Sequence, residues 1–311
     1  MSKGNPFDPA LFRPEAIPPE VKAFNDAFIA RANTPPLPGQ PPPNPFAAKP
    51  FAPNAQVRTV TGAGREIAVR IIAPTNGAPR GAYLHFHGGG LIFGAANQDD
   101  PFLQRTADAT GLAAVTVEYR LAPVHPYPAA WDDAETAAVW LATSVKAEFG
   151  GDVLAIGGES AGATLAVPTL VRMRDKHGFT GFHAANLSYG NYDTSGSPSQ
   201  HWNGVNRYLI DEQAIAMCSN AYAPDVSMRK NPDMSAVYAN LKDMPPALFS
   251  VGTLDPFLDD SLFVYARWIA AGNEAELAIY PGAPHAFNTI GHPHGEAANA
   301  RIDAFLKEQT S

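Results

Sequence analysis

The chain has 311 residues, of which 45% are apolar and 17% are charged, and this is the composition of a globular protein with one large core. A net charge of −8 gives no basic surface of the kind that binds nucleic acid or anionic lipid. Cys218 is the single cysteine, which excludes an internal disulfide and indicates a reducing compartment. Because the sequence shows neither an apolar leader nor a membrane-length apolar run, we predict a cytoplasmic protein without membrane insertion.

The first 54 residues differ in composition from the rest of the chain. Residues 18–32 have helical character, because a proline pair opens the segment and apolar side chains recur on one face. Seven prolines crowd residues 35–45, which excludes helix and central strand there and favours an extended strap. A helix ahead of the main domain is expected to cover apolar surface.

From about residue 55, apolar runs with strand character alternate with helical segments. This alternation predicts an α/β fold with a mostly parallel eight-stranded sheet flanked by helices. The pattern lapses over 191–240, which is rich in Ser, Asn and Gly and is interpreted as an insertion. The predicted strands are 56–60, 66–71, 82–86, 113–119, 153–156, 184–188, 247–251 and 275–280, and the predicted helices are 101–110, 129–147, 163–173, 211–221, 261–271 and 297–307.

The segment Gly-Glu-Ser-Ala-Gly at 158–162 lies between a predicted strand and a predicted helix. A serine with a glycine two residues to either side in this setting is typical of a nucleophile elbow, a tight strained turn with small flanking residues. The strain would hold the Ser160 hydroxyl above the sheet, where a substrate carbonyl can reach it. The same five-residue pattern also arises by chance in glycine-rich loops, so the surrounding residues decide the interpretation.

An elbow serine needs a base, and His285 is the best placed of nine histidines. It follows the last predicted strand, so it can reach the crevice at the carboxyl ends of the parallel strands. A histidine in a surface loop is the alternative. His292 and His294 suggest a metal site, but they lack a matched set of further ligands, so no metal is expected.

The base needs a carboxylate that orients it, and Asp255 follows the strand 247–251. The proline behind Asp255 biases this residue away from helix and places it at a strand-to-helix turn. Asp259 and Asp260 are rivals, although both could instead begin the helix that follows. The chain order Ser160, Asp255, His285 is the order used by α/β enzymes with a nucleophile elbow.

Donors for a developing oxyanion are predicted in a glycine triplet after the strand 82–86. The amides of Gly88 and Gly89, together with that of Ala161 behind the nucleophile, would bind the substrate oxygen. A flexible turn or a phosphate cradle is the alternative reading of the triplet. A phosphate loop would end in Lys followed by Ser or Thr, which this sequence lacks, and no cofactor is expected.

Taken together, these motifs resemble those of the hormone-sensitive-lipase family of α/β-hydrolases, over about residues 80–305. The resemblance implies an α/β-hydrolase fold in which His87 orients the oxyanion loop rather than acting as the base. It also implies a helical cap made of an N-terminal segment, 1–54, and an insertion, 191–240, around a catalytic domain of 55–190 and 241–311. The matching segments are His87–Gly90, Tyr119–Pro123, His125–Ala129, Gly158–Gly162, Leu241–Ala247, Asp255–Pro256 and His285–Phe287.

Three residues depart from the family pattern: Glu159 stands where Asp is more usual, and Ala163 and Ala286 stand where Gly is usual. These changes leave the reacting groups intact and bear on substrate fit. Aromatic residues of the cap segments, such as Phe24 and Trp202, would line the pocket or form the cap's own core.

The resemblance implies a serine carboxylesterase that hydrolyses short- to medium-chain esters through an acyl-enzyme on Ser160. An amidase or carbamate hydrolase with the same three residues is the alternative, and a ligand-binding relative without catalysis is a third. The expected partner is a small-molecule ester and no nucleic acid. The last strand and helix allow a homodimer but do not require one.

Overall fold

The computed structural model describes residues 7–32, 51–201 and 209–311, so the predicted proline-rich segment at 35–45 and Trp202 lie outside the described residues. The strands are β1 (Gln56–Gly62), β2 (Arg65–Ile72), β3 (Gly81–Phe86), β4 (Ala113–Val117), β5 (Val153–Glu159), β6 (Ala184–Ser188), β7 (Ala247–Gly252) and β8 (Ala275–Tyr280). The helices are α1 (Pro19–Ala32), α2 (Asp100–Thr110), α3 (Ala129–Phe149), α4 (Ala161–His177), α5 (Pro198–His201), α6 (Glu212–Tyr222), α7 (Leu258–Ala270) and α8 (Gly295–Gln309).

The eight strands form one sheet in the order β1-β2-β4-β3-β5-β6-β7-β8. The β1–β2 and β2–β4 pairs are antiparallel, and every pair from β4 through β8 is parallel. The eight strands correspond to the eight predicted ones, and the mostly parallel α/β fold is confirmed.

Helices cover both faces of the sheet, and the central strands are buried on both sides. In β3, Leu84 belongs to the core that includes Trp131 of α3, whereas Tyr83 belongs to a second core with Leu103 of α2 and Ile302 of α8. Strands with two buried faces carry continuous apolar runs, which made them recognisable in the sequence. No helix within the described ranges is both long enough and apolar enough to cross a membrane.

The parallel strands determine where the candidate site lies. Because β3, β5, β6, β7 and β8 run in one direction, the loops that follow them begin at the same edge of the sheet. The glycine triplet, Ser160, Asp255 and His285 each lie in one of these loops.

Between β6 and β7 the chain leaves the sheet and forms α5, α6 and two short 3-10 helices, Val226–Lys230 and Ala236–Tyr238. The limits of the proposed cap, 191–240, stay a prediction.

The N-terminal helix α1 packs against the loop after β8. Val21 is fully buried, and Asn25 Nδ2 donates to the Gly282 carbonyl at 2.8 Å. The Phe24 ring meets the His292 ring edge-on with centroids 5.0 Å apart. This helix therefore covers the loop that carries His285, and Phe24 belongs to that packing.

Candidate active site

Ser160 occupies a strained turn between β5 and α4. Its φ of +56° and ψ of −117° form a conformation that side chains other than glycine rarely adopt. A Cβ atom on Gly158 would lie 2.2 Å from the Phe86 carbonyl oxygen, and one on Gly162 would lie 1.8 Å from it. The Ser160 N–H donates to the Ser188 carbonyl at 2.9 Å, which ties the turn to β6. Space at the turn therefore requires both glycines of the motif.

The structure brings Ser160, His285 and Asp255 together. His285 Nε2 lies 2.8 Å from Ser160 Oγ, and its Nδ1 lies 3.0 Å from Asp255 Oδ2 and 3.1 Å from Oδ1. Asp255 and His285 are only 3% and 5% exposed. Because Nδ1 faces a carboxylate, it carries the proton, and Nε2 is left to accept the serine proton. The arrangement can deprotonate Ser160.

The rival carboxylates lie elsewhere. Helix α7 begins at Leu258, three residues before the predicted start, so both Asp259 and Asp260 are in its first turn. Asp260 Oδ1 accepts the backbone N–H groups of Tyr192 and Asp193, both at 2.7 Å. Asp259 Oδ2 accepts the N–H of Ser199 at 2.9 Å. These two carboxylates anchor the insertion to α7.

His292 and His294 have structural contacts. The His292 ring lies among Phe24, Phe287 and His294, and burial lowers the pKa of His292 to about 4. His294 Nε2 lies 3.1 Å from the carbonyl oxygen of Pro281. Both rings help to fix the end of the loop that carries His285.

A buried histidine–glutamate pair lies beneath the nucleophile turn. His85 Nε2 is 2.7 Å from Glu159 Oε2. With Asp99 they form the one group of possible metal ligands found in the described part of the chain, with ligand atoms within 4.8 Å of one another. Burial acts to lower the pKa of His85, but the charge of Glu159 and the hydrogen bond to it raise that pKa overall. The buried Glu159 carboxylate thus favours the charged form of His85.

The glycine loop lies against the nucleophile. Gly88, Gly89 and Ala161 all line the pocket beside Ser160. A Cβ atom on Gly88 would lie 3.7 Å from the Ser160 Cβ, and Gly89 has a φ of +122°, where only glycine is relaxed. Within residues 7–32, 51–201 and 209–311, none of the three amides donates to a protein acceptor. They are thus available for an oxygen in the pocket.

His87 holds the glycine loop and lies away from the serine. Its Nδ1 is 2.8 Å from the Gly88 carbonyl oxygen, and its ring stacks on Tyr119 with centroids 4.1 Å apart. The Tyr119 hydroxyl donates to the His87 carbonyl at 2.8 Å. Burial lowers the pKa of His87 to about 4, so this imidazole is neutral at pH 7.

Sequence reasoning missed two aromatic residues beside His285. The Tyr189 and Phe257 rings meet the imidazole edge-on, with centroids 4.9 and 5.3 Å away. Tyr189 directly follows β6, at the same sheet edge as the predicted site residues. That position is the signal by which it could have been found.

The residue behind His285 is strained. Ala286 has a φ of +58°, the left-handed conformation that favours glycine. Glycine is usual at this position in the family that the motifs resemble, and the backbone supplies the reason. Ala286 also lines the pocket.

A cavity of about 620 Å³ opens in front of Ser160. The sheet edge forms its floor, and residues from 209 to 222 of the insertion form one wall. That wall is mainly apolar and includes Leu209, Ile210, Ile215, Met217, Cys218 and Tyr222. A mainly apolar cavity of this size suits a small organic ligand.

Comparison with known proteins identifies the family. Residues 83–289 match the model of a family described as having the alpha/beta hydrolase fold. This segment is well over half of the 311 residues, so the chain belongs to that family.

Three similar proteins indicate what kind of hydrolase the chain is. Esterase LipI of Mycobacterium tuberculosis is 35% identical over 199 residues. The match covers 62% of this chain and 61% of LipI, which is less than two thirds of LipI's length. An acetyl esterase of Salmonella paratyphi B is 32% identical over 232 residues, 71% of this chain and 69% of that enzyme. The solved structure of an esterase/lipase from an uncultured bacterium has a TM-score of 0.77 and 29% identity, covering 94% of this chain and 99% of the other.

The chain is thus a carboxylic ester hydrolase. The resemblance to hydrolases of the α/β-hydrolase fold is confirmed, and a hormone-sensitive lipase from a metagenome library shares that fold, with 24% identity and a TM-score of 0.79.

Proposed function

We propose that the protein is a serine carboxylesterase that hydrolyses short- to medium-chain esters through an acyl-enzyme on Ser160. His285 takes the hydroxyl proton as Ser160 Oγ attacks the ester carbonyl, and Asp255 holds the imidazole in the required tautomer. The oxyanion accepts hydrogen bonds from the amides of Gly88, Gly89 and Ala161. The C–O bond breaks, and His285 returns the proton to the departing alcohol. A water molecule deprotonated by His285 then attacks the acyl group, the bond between that group and Ser160 Oγ breaks, and Oγ takes the proton back from His285 as the acid leaves.

One observation carries this proposal: the continuous hydrogen-bonded chain from Ser160 through His285 to Asp255. The serine oxygen lies 2.8 Å from an imidazole nitrogen whose opposite nitrogen lies 3.0 Å from a buried carboxylate. A base that abstracts a proton must lie within hydrogen-bond reach of it, and this one does.

The cavity supports the proposed substrate range. Its apolar wall favours the alkyl portion of an ester, and its volume of about 620 Å³ accommodates more than an acetyl group. The LipI and acetyl esterase relatives are named for ester hydrolysis, which agrees with this chemistry.

The test is turnover of p-nitrophenyl esters by Ser160→Ala. We expect kcat to fall by about 10³- to 10⁶-fold, because the variant lacks the nucleophile. Ser144→Ala is the matched control, since the Ser144 hydroxyl donates to Trp140 of the same helix, α3. Near-normal turnover by Ser160→Ala would contradict the proposal.

A substrate panel tests the proposed range. We expect kcat/KM to be highest for esters with short to medium acyl chains and to decline for longer ones. A p-nitroanilide of the preferred acyl group, run beside its ester, measures amidase activity directly. Faster cleavage of the anilide would contradict the assignment as an esterase.

A further inference from the structure

Tyr189 is held in a strained conformation next to the site. It has a φ of +41°, in the left-handed region that bulky side chains avoid. Its N–H donates to the Ser250 carbonyl of β7 at 2.8 Å, and the preceding Ser188 carbonyl accepts the N–H of Ser160 at 2.9 Å. Such strain persists only where the surroundings impose it, and it clusters at functional sites. Here it fixes Tyr189 relative to the nucleophile turn.

The Tyr189 ring forms one of two aromatic walls around the imidazole. Its centroid lies 4.9 Å from that of His285 with the planes at 68°, and Phe257 lies at 5.3 Å and 76°. Tyr189 also contacts Phe287, two positions after His285, with centroids 5.9 Å apart. Packing by these rings restricts how far the imidazole can tilt out of line with Ser160.

The Tyr189 hydroxyl also binds the loop that carries His285. It donates to Oδ1 of Asn288, three positions after His285. Asn288 Nδ2 donates to Asn299 Oδ1 at 2.9 Å, and Asn299 Nδ2 donates back to the Asn288 carbonyl at 2.9 Å. This reciprocal pair fixes the Asn288 amide on α8 and leaves its oxygen to accept from Tyr189.

Both partners of this hydrogen bond are buried, which makes the loss of the bond costly. Tyr189 is 1% exposed and Asn288 is 8% exposed. Burial raises the pKa of the Tyr189 phenol well above its ordinary value, so the hydroxyl stays a donor at every pH used in an assay. Removing the hydroxyl would leave the buried Asn288 oxygen without this donor.

We propose that Tyr189 is a positioning residue for His285. Its ring limits the tilt of the imidazole, and its hydroxyl, acting through Asn288, fixes the loop that presents His285 to Ser160. This inference rests on the proposed function, because it takes His285 as the base for Ser160.

Tyr189→Phe tests the inference, because it removes one oxygen and keeps the ring. We expect kcat to fall about tenfold with KM within about twofold, since small misplacements of a catalytic group are costly while the pocket wall is unchanged. Labelling of Ser160 by a fluorophosphonate should slow by a similar factor, which measures the reactivity of the serine apart from ester binding.

Tyr192→Phe is the matched control. Tyr192 is a fully buried tyrosine three positions further along the chain, and its ring packs on Phe249 of β7. We expect its kcat to stay within about twofold of the parent enzyme. An equal loss in Tyr192→Phe would overturn the inference, because a general packing defect would then explain both results.

A double-mutant cycle tests the route through Asn288. If the hydroxyl acts through this amide, Tyr189→Phe should cost almost nothing further in an Asn288→Ala background. If the two substitutions instead reduce kcat independently, so that the loss in the double variant is the product of the two single losses, the route through Asn288 is contradicted.

The two proposals fail differently. Full turnover by Ser160→Ala would remove the proposed function, whereas an inactive Ser160→Ala beside a fully active Tyr189→Phe would overturn the positioning role alone.

Discussion

Replacing Asp255 with asparagine should disable the base while leaving its position almost unchanged. Asp255 Oδ1 accepts the Phe257 N–H at 2.9 Å, and both carboxylate oxygens face His285 Nδ1 at 3.0 to 3.1 Å. In Asp255→Asn the amide oxygen keeps the bond from Phe257, so the NH2 group turns toward the imidazole. His285 Nδ1 must then accept, and its proton moves to Nε2, where it blocks acceptance of the Ser160 proton.

The size of the effect follows from this tautomer reversal. An oriented carboxylate in such an arrangement contributes about 10⁴-fold in kcat, or about 5.4 kcal/mol of transition-state stabilisation. The substitution adds no volume and keeps the backbone hydrogen bond, so we expect KM and the unfolding midpoint to change little.

The assay is steady-state hydrolysis of a p-nitrophenyl ester by Asp255→Asn, with Asp259→Asn as the control. Asp259 bonds to Ser199 in the insertion, so its variant should keep kcat within about tenfold of the parent enzyme. A loss smaller than tenfold in Asp255→Asn, or an equal loss in Asp259→Asn, would refute the assignment of Asp255.

Three further predictions concern strain, the pocket wall and pH. Ala286→Gly should raise the free energy of unfolding in urea by about 0.5 kcal/mol or more, because relief of the left-handed strain exceeds the added backbone entropy of the unfolded chain; a destabilised variant would contradict this. Ala214→Phe adds a ring to the pocket wall, so kcat/KM for medium-chain esters relative to acetyl esters should fall about tenfold, while Ala216→Phe on the exposed face of α6 keeps the parent ratio. Burial lowers the pKa of His87 from 6.5 to about 4, so protonation favours the unfolded chain, and His87 should contribute a fall of about 3 kcal/mol in the free energy of unfolding as the pH is lowered from 6.5 to 4. His87→Asn should reduce that dependence, and an unchanged slope would count against the burial argument.

Features set by local sequence patterns were predictable. The strands could be found because both faces are buried, and the nucleophile turn could be found because space at Gly158 and Gly162 admits no side chain. Asp255 and His285 were recognisable because each follows a parallel strand, and such strands end at one edge. The structure brings the three predicted residues into hydrogen-bonding distance, and their catalytic roles stay predictions.

Contacts between distant segments were not predictable from local pattern. Glu159 could be recognised as a departure from the family, but its pairing with His85 depends on β3 lying beside β5. Asp260 was a rival for the site until the structure showed it accepting the amides of the insertion. Tyr189 and Asn288 lie 99 positions apart, and only the folded chain brings them together.

Trapping an acyl group on Ser160 is the most direct test of the proposed acyl-enzyme. The protein is mixed with a p-nitrophenyl ester, quenched in acid within the first turnover, and examined by peptide mass spectrometry. We expect one added acyl group on the peptide that contains Ser160 and none in Ser160→Ala. An acyl group on another residue, or steady ester turnover by Ser160→Ala, would contradict the proposed acyl-enzyme.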